Sequence, residues 1–187
     1  MKIAFTGTSS TGKTTLVRSL MKAPDFTKHV SRFLTADARA LLEELGFHSM
    51  DSMSRDQLRT FQLRYFSRKQ QIEQNQDHYV TDRSFVDVAA YWVQRDTLEI
   101  PAERNRLVLP CLGEAKKYDI HFYIPYGSID FEPDGYRSND LRFHQRIDRQ
   151  ILEFLKEWQL PYIQIQPPNH DERIKIVLDY IRHKASP

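Results

Sequence analysis

The sequence contains little cysteine and glycine, and it has no long apolar run. Its single cysteine, Cys111, excludes an internal disulfide, which is typical of a reducing compartment, and we interpret it as a buried core residue. No apolar stretch approaches the ~18 residues of a membrane-spanning helix. The chain begins with a strand and a loop rather than with a signal peptide. We therefore expect a soluble cytoplasmic protein without a membrane partner.

Two common kinds of catalytic centre are also missing from the sequence. The 7 histidines show no metal-ligand spacing, and no Ser-His-Asp pattern stands out. The net charge of +2 permits a nucleotide or nucleic-acid partner without requiring one. With 187 residues and no internal repeat, the chain is predicted to form a single domain over residues 1–187, and the oligomeric state is left open.

Two glycines frame a short segment near the N-terminus. Residues 7–14 read Gly-Thr-Ser-Ser-Thr-Gly-Lys-Thr and match the phosphate-loop pattern G-x-x-x-x-G-K-[ST] at every required position. A strand at residues 3–5 and a helix at residues 15–21 flank it, which is the context that this motif needs. Amides between the glycines form an anion-binding nest, Lys13 adds a positive charge, and the Thr14 hydroxyl suits Mg²⁺.

The motif therefore predicts binding of ATP together with Mg²⁺. The predicted nucleotide-binding residues are Gly7, Thr8, Ser9, Ser10, Thr11, Gly12, Lys13, Thr14 and Thr15, with Lys13 also catalytic and Thr14 the metal ligand.

Short strands alternate with helices along the rest of the chain, which predicts an α/β fold with a parallel sheet and right-handed crossovers. Further strands are predicted at residues 28–33, 78–82, 118–124 and 161–165. Further helices are predicted at residues 36–45 after a Thr35 cap, from the Ser54 cap to 76, at 84–93, at 101–117 with an interruption at Pro110, at 140–158, and at 170–183 after an Asn169 cap.

Ligands of such sheets collect at the carboxyl ends of the strands. Besides the phosphate loop, residues 82–84 and the loop after residue 124 fall at such ends. Asp82 is a candidate to hold Mg²⁺ through water or to accept a proton, and Arg83 a candidate to hold a phosphate. The alternative is a helix cap followed by an exposed arginine.

Asp87 is a candidate ligand for a substrate hydroxyl or else a surface carboxylate, and we interpret Tyr91 as a core residue.

A lid over the nucleotide is predicted at about residues 126–142. This segment carries Arg137 and Arg142, whose planar guanidinium groups suit the charge on a transferring phosphoryl group, and Gly127 and Gly135 suit lid motion. We expect Arg142 to contact the nucleotide. The alternative is a polar surface loop.

The long helix at residues 54–76 combines basic and aromatic side chains. Such a helix either binds DNA or RNA, with Gln62 reading a base, or is amphipathic with a core stripe and a charged face. The residues concerned are Arg55, Arg59, Arg64, Arg68 and Lys69, interleaved with Phe61, Tyr65 and Phe66.

With these motifs in this order, the sequence resembles the small P-loop kinases of the AAA-type nucleoside-kinase group, which includes the nicotinamide riboside kinase domain of the bacterial NAD regulator. The matching positions are Gly7–Thr15, Ala38-Arg39, residues 41–46, Phe61-Gln62, Asp82-Arg83, Asp87, Tyr91, Tyr118-Asp119, Asp134-Gly135 and Arg137.

The resemblance implies a five-stranded parallel sheet in the order 2-3-1-4-5, ATP as donor, and transfer to a hydroxyl of a nucleoside- or nucleotide-type acceptor. It also implies that Asp82 is the base, that Arg137 is a lid arginine, and that Arg39, Gln62 and Asp87 face the substrate. Relatives often carry a glutamate three residues before the arginine that Arg39 matches, whereas this chain has Ala36 there and Asp37 one residue later. The substrate pocket is therefore expected to differ.

Two other functions stay open at this point. The opening residues 1–15 also resemble phage-encoded kinases that phosphorylate a hydroxymethylated pyrimidine within DNA, which makes DNA an alternative partner. The second alternative is a nucleotide-switched ATPase or binding module whose acceptor is water. The absence of an Asn-Lys-x-Asp motif speaks against a GTPase.

Overall fold

A five-stranded sheet with strand order β2-β3-β1-β4-β5 organises the chain. Its strands are β1 (Lys2–Thr6), β2 (Arg32–Leu34), β3 (Tyr79–Asp82), β4 (Ile120–Tyr123) and β5 (Tyr162–Gln164), and every neighbouring pair runs parallel. The computed structural model describes residues 1–95, 101–129 and 140–185. The predicted α/β class and the predicted strand order are confirmed.

Helices connect the strands and cover both faces of the sheet. They are α1 (Lys13–Leu20), α2 (Pro24–Thr27), α3 (Ala38–Glu44), α4 (Arg55–Glu73), α5 (Phe85–Arg95), α6 (Pro101–Ala115), α7 (Leu141–Glu157) and α8 (His170–Ala185), with a short 3₁₀ helix at Met50–Ser52. None of the described helices is long and apolar enough to cross a membrane.

Two apolar clusters sandwich the sheet, and the central strand β1 shows how it is divided between them. Ala4 packs in a cluster with residues from α3 to α7, whereas Ile3 and Phe5 pack with residues from α1, α2 and α8. Successive side chains of a strand point to opposite faces, so a strand covered on both faces reads as a continuous apolar run. This burial fixes β1 and presents the loop that follows it at one edge of the sheet.

The structure corrects several predicted element boundaries. Helix α3 is capped by Asp37, whose side chain accepts from the N–H groups of Arg39 and Ala40 at 3.1 Å, and not by Thr35. Strand β2 begins only at Arg32, because the turn that follows α2 continues to Val30, whose N–H donates to the Phe26 carbonyl at 3.1 Å. Helix α6 runs through Pro110, although proline cannot donate the usual helical hydrogen bond.

Other local predictions are confirmed. Ser54 caps α4 in a capping box, in which its side chain accepts from the Gln57 N–H and the Gln57 side chain accepts from the Ser54 N–H. Cys111 is fully buried in the core, and burial raises the pKa of its thiol well above the usual value. Its inert apolar setting is that of a structural residue.

Candidate active site

The phosphate-loop motif lies where the carboxyl ends of three strands meet. The loop leaves β1 and enters α1 at Lys13. On one side the Arg83 N–H donates to the Phe5 carbonyl at 2.9 Å, and on the other the Ile124 N–H donates to the Thr6 carbonyl at 2.9 Å. The three segments predicted to converge are therefore neighbours, and they place the site at one edge of the sheet.

Backbone geometry explains both glycines of the loop. A Cβ atom on Gly7 would lie 2.5 Å from the Ile124 carbonyl oxygen, which no side chain tolerates. Gly12 has a φ of +82°, a left-handed conformation that glycine adopts without the steric penalty of a side chain. The Gly7 N–H donates to Asp87 Oδ1 at 3.0 Å, which ties the start of the loop to α5.

Lys13 lies inside the loop. Its side chain is 5 % exposed, and its ammonium group donates to the Thr8 carbonyl at 2.5 Å and to Thr11 Oγ1 at 3.0 Å. Burial and the neighbouring Arg83 lower the pKa of Lys13, while the carboxylates of Asp82 and Asp87 oppose that shift. A desolvated cation in the loop is suited to bind anionic phosphate oxygens.

Thr14 and Asp82 provide hard oxygen atoms at the same edge. The Thr14 hydroxyl donates to Asp82 Oδ2, and the other carboxylate oxygen, Oδ1, is buried with no hydrogen-bond partner among the described residues. An orphaned buried oxygen beside a hydroxyl is a donor set that fits a magnesium ion, which Thr14 and Asp82 would hold.

Arg83 and Tyr91 lie against the middle of the loop. The Arg83 guanidinium donates to Ser9 Oγ at 3.1 Å and lies 5.3 Å from the centre of the Tyr91 ring. The Tyr91 hydroxyl contacts Ser9 Oγ at 3.0 Å and Thr8 Oγ1 at 3.3 Å. Burial opposes ionisation of the phenol, but Arg83 and these hydrogen bonds lower the pKa of Tyr91 to about 7. Arg83 is thus not an exposed arginine.

Asp87 is fully buried and positions the loop. Its Oδ2 accepts from the Ser84 N–H at 2.7 Å and from the Ser84 hydroxyl at 2.9 Å, and its Oδ1 accepts from Gly7. Burial raises the pKa of this carboxyl group, while Lys13, Arg83 and the backbone N–H donors oppose the shift. The alternative of a surface carboxylate in the first turn of α5 is wrong.

A pocket of about 650 Å³, including the open solvent at its mouth, adjoins the loop. It is lined by the three residues predicted to face the substrate, Arg39, Gln62 and Asp87, and also by Arg83, which was predicted to hold a phosphate. Gln62 is only 4 % exposed, and the ring of Phe61 lies beside that of Tyr65 at 6.1 Å between centroids. Aromatic walls with one amide and a few charges are typical of a site for a planar, polar ligand.

Sequence reasoning missed several residues of this site. His144 from α7 lines the pocket, and its Nδ1 lies 3.2 Å from Thr8 Oγ1. The histidines show no metal-ligand spacing, so nothing in the sequence was a reason to place His144 in the site. Arg95, at the end of α5, also lines the pocket. Behind the loop, the buried Arg173 donates to the Thr11 carbonyl at 2.9 Å. No local pattern distinguishes these residues from core or surface residues.

Of the two predicted lid arginines, the structure describes Arg142. Arg142 lies on α7 with an exposed side chain, and it does not line the pocket formed by the described residues. Arg137 and Gly135 lie outside the described residues, as does most of segment 126–142. The lid therefore stays a prediction.

The basic face of α4 is largely neutralised within the chain. Arg59 pairs with Glu103, Arg68 with Glu44 at 2.8 Å, and the buried Lys69 with Glu73. Phe61 and Tyr65 are buried, and they both join the core cluster and line the pocket. The helix therefore has the core stripe of the amphipathic alternative, and DNA binding by its exposed face stays a prediction.

Comparison with known proteins places these features in a family. The family model described as an AAA domain matches residues 2–173. No curated protein sequence is a significant match to the chain.

Solved structures with 14–19 % identity share the fold. Deoxyadenosine kinase from M. mycoides with bound dATP has a TM-score of 0.68 at 14 % identity, covering 97 % of this chain and 100 % of its own. Thymidylate kinase from Candida albicans has a TM-score of 0.68 at 14 % identity, covering 98 % and 91 %. NadR protein in complex with NR has a TM-score of 0.68 at 19 % identity, covering 98 % of this chain but 50 % of its own.

Proposed function

The chain belongs to the AAA-domain family, and from this premise we propose that it is an ATP-dependent kinase. It transfers the γ-phosphoryl group to a hydroxyl of a nucleoside- or nucleotide-type acceptor. One observation carries the proposal: the phosphate loop and the adjoining pocket share Ser9, with Arg83 and Asp87 contacting both. Transfer of a phosphoryl group between two bound molecules requires that the donor site and the acceptor site adjoin each other.

The similar folds support this proposal. Proteins of the same fold include a deoxyadenosine kinase with bound dATP, a thymidylate kinase, and NadR with NAD and AMP-PNP. Most of the wall residues that would contact a nucleoside base are aromatic or amide side chains, namely Phe61, Gln62, Tyr65 and Phe143. Water as the sole acceptor, which the switch alternative requires, does not need such a pocket.

The residues take the following roles. The loop amides and Lys13 bind the phosphates of ATP, and Arg83 stabilises charge on the transferred group from beside Ser9. Thr14 and Asp82 would hold a magnesium ion, which would supply further charge neutralisation when bound. Asp82 is engaged with Thr14, and this contact favours metal support over proton abstraction for its carboxylate. Arg137 and Arg142 are proposed to close over the nucleotide as lid residues.

Transfer of labelled γ-phosphate from ATP to a panel of acceptors tests the proposal. One arm contains free nucleosides, nucleoside monophosphates and nicotinamide riboside, and the other contains DNA with and without hydroxymethylated pyrimidines. The Lys13→Ala variant is the negative control, and the exposed Lys22→Ala variant is the matched positive control. Hydrolysis of ATP that no acceptor diverts would overturn the kinase proposal in favour of the switch.

The DNA arm keeps the second candidate function in view, a kinase acting on a hydroxymethylated pyrimidine within DNA. Its support is the pocket and not α4: three guanidinium groups, from Arg39, Arg83 and Arg95, line the acceptor side. Label in the modified DNA, with none in free nucleosides, would establish this function.

A further inference from the structure

The acceptor pocket contains more positive than negative charge. Arg39, Arg83 and Arg95 line it, against a single lining carboxylate, Asp87, among the described residues. That carboxylate is already engaged by the Gly7 N–H and by Ser84. A neutral acceptor would leave Arg95 without an anionic hydrogen-bond partner in a partly desolvated cavity, which is costly for a charged group.

Arg83 and Arg95 both lie against the Tyr91 ring, at 5.3 and 5.0 Å from its centre, but their other contacts differ. Arg83 donates to Ser9 on the phosphate loop. Arg95 contacts Met50, with its Nη1 3.4 Å from the sulfur, and its guanidinium lies 5.0 Å from the Tyr91 ring centre and 5.7 Å from that of Phe143. Arg83 thus lies against the phosphate loop, and Arg95 lies beside Met50 and Phe143.

The hydrogen-bonding capacity of Arg95 is almost unused. A guanidinium has five N–H donors. Within residues 1–95, 101–129 and 140–185, its hydrogen-bond acceptor is the thioether of Met50, which is a weak acceptor, and no carboxylate forms an ion pair with it. Burial lowers the pKa of Arg95 to about 10, and Arg83 adds to this shift, while Tyr91 and Asp51 oppose it.

We propose that the acceptor carries a phosphate ester at the end remote from its reacting hydroxyl, and that Arg95 binds this anion. This inference rests on the proposed function, because it assigns the substrate class of the same site. A guanidinium fork matches phosphate oxygens in a bidentate geometry, and its flat faces pack on Tyr91 and Phe143. The acceptor is then a nucleotide, either free or within a DNA strand, rather than a neutral nucleoside or riboside.

Matched pairs of acceptors test the proposal. The two members of a pair share the reacting hydroxyl, and one member carries an additional phosphate ester. One pair is a deoxynucleoside and its 3′-monophosphate, and the other is hydroxymethyldeoxyuridine and its 5′-monophosphate. An oligonucleotide containing hydroxymethyldeoxyuridine distinguishes a strand from a free nucleotide. We expect kcat/KM to be about 10- to 100-fold higher for the phosphorylated member of a pair, or for the oligonucleotide relative to the nucleoside. This range corresponds to the free energy of one charge-assisted hydrogen-bonding contact.

The Arg95→Gln variant should reduce that preference to about twofold by losing activity on the phosphorylated acceptor alone, since charge-assisted bonds are stronger than neutral ones. Arg95→Lys should retain part of it, because the charge remains without the fork. The exposed Arg149→Gln variant is the matched control and should keep the full preference. Equal use of both members by the wild-type protein, or an equal loss on both in Arg95→Gln, would overturn the proposal.

Binding separates this inference from the kinase proposal. With AMP-PNP present, calorimetric affinities for the same acceptors are measured on the wild-type protein, Arg95→Lys and Arg149→Gln, and on Arg95→Gln if it folds. A failure to transfer phosphate to every acceptor would refute the kinase activity. The anion site would still be supported if the phosphorylated acceptors bind more tightly than their partners and if the Arg95 variants weaken that binding. Equal affinities within each pair and for the oligonucleotide would refute the anion site alone.

Discussion

The Thr14 hydroxyl donates a hydrogen bond to Asp82 Oδ2, joining the first turn of α1 to the end of β3. The same carboxylate keeps Oδ1 buried without a partner among the described residues. If Asp82 supports the magnesium ion of ATP, Asp82→Asn should lower kcat by about 100-fold or more and raise the Mg²⁺ concentration needed for half-maximal activity. Activity titrations with Mg²⁺ measure both changes.

A base role for Asp82 predicts a different outcome. In that case kcat would fall with no change in Mg²⁺ dependence, and the pH–rate profile would lose its acidic limb. Thr14→Val separates the roles further, because it removes the metal ligand while keeping the Asp82 carboxylate. Glu157→Gln, an exposed carboxylate on α7, should leave kcat and the Mg²⁺ titration unchanged.

Lys13 should be needed for catalysis but not for folding. Its ammonium group is buried against the Thr8 carbonyl, so Lys13→Ala removes a cation that is already desolvated in the absence of nucleotide. We expect kcat/KM for ATP to fall by roughly 100- to 1,000-fold, the usual effect of losing one donor to a developing charge. The melting temperature should stay within a few degrees of that of Lys22→Ala, as thermal unfolding followed by circular dichroism would show. A collapse of the fold in Lys13→Ala would contradict this prediction.

Gly7→Ala and Gly113→Ala should have opposite effects. The added methyl group on Gly7 would meet the Ile124 carbonyl at 2.5 Å, so we expect a loss of about 1–3 kcal/mol of stability together with a displaced phosphate loop. Around Gly113, inside α6, a Cβ meets nothing within 4 Å, and alanine should stabilise the helix by up to ~1 kcal/mol. Denaturant unfolding and ATP-binding titrations measure both effects, and equal outcomes for the two variants would contradict the packing argument.

The donor half of the site could be predicted from the sequence because its signals are contiguous. Residues 7–14 are a local pattern whose physical meaning does not depend on distant residues, and short apolar runs before the loop and before Asp82 placed both at strand ends. Alternating strands and helices favoured the parallel sheet, and the strand order followed from the resemblance.

The acceptor half could be predicted only in part, for Arg39, Gln62 and Asp87, because distant elements assemble it. Arg39 comes from α3, Gln62 from α4, Arg95 from α5 and His144 from α7. An arginine in the last turn of a helix is usually a solvated residue that interacts with the helix dipole, so nothing local distinguished Arg95. Tyr91 has the spacing of a core residue and is indeed buried, yet its hydroxyl reaches the phosphate loop.

Lys69 and Glu73 should be essential for stability. Their ion pair is buried, Lys69 also donates to Thr81 Oγ1 at 2.8 Å, and Glu73 Oε2 accepts from the Tyr118 hydroxyl at 2.6 Å. Lys69→Met leaves the Glu73 carboxylate buried without its cation, and we expect a loss of about 3–5 kcal/mol in the free energy of unfolding.

The exposed Lys117–Glu114 pair provides the matched control for Lys69. Its atoms are 2.7 Å apart with the Lys117 side chain 60 % exposed, so Lys117→Met should cost less than ~1 kcal/mol. Urea unfolding of the two variants gives the comparison. Similar losses for Lys69→Met and Lys117→Met would show that the buried network contributes no more than a surface pair.

His121 should make the protein less stable in mild acid. The side chain is fully buried in β4, with Nε2 3.2 Å from the Ala115 carbonyl and Nδ1 3.3 Å from Thr6 Oγ1. The carbonyl can only accept, so Nε2 carries the hydrogen and Nδ1 of the neutral ring accepts from the Thr6 hydroxyl. Burial lowers the pKa of His121 from 6.5 to about 4, while the hydrogen bond to Ala115 opposes the shift.

Because its pKa is lower in the folded chain, His121 binds a proton in the unfolded chain first as the pH falls below 6.5. Its contribution to stability is complete above pH 6.5 and is lost by about 1.4 kcal/mol per pH unit down to about pH 4. His121→Gln keeps a donor and an acceptor but cannot be protonated, so its free energy of unfolding should lack this slope. Urea titrations between pH 4.5 and 8 compare it with the wild-type protein and with the exposed His183→Gln control, which should retain the slope. A slope unchanged in His121→Gln would assign the acid sensitivity to other groups.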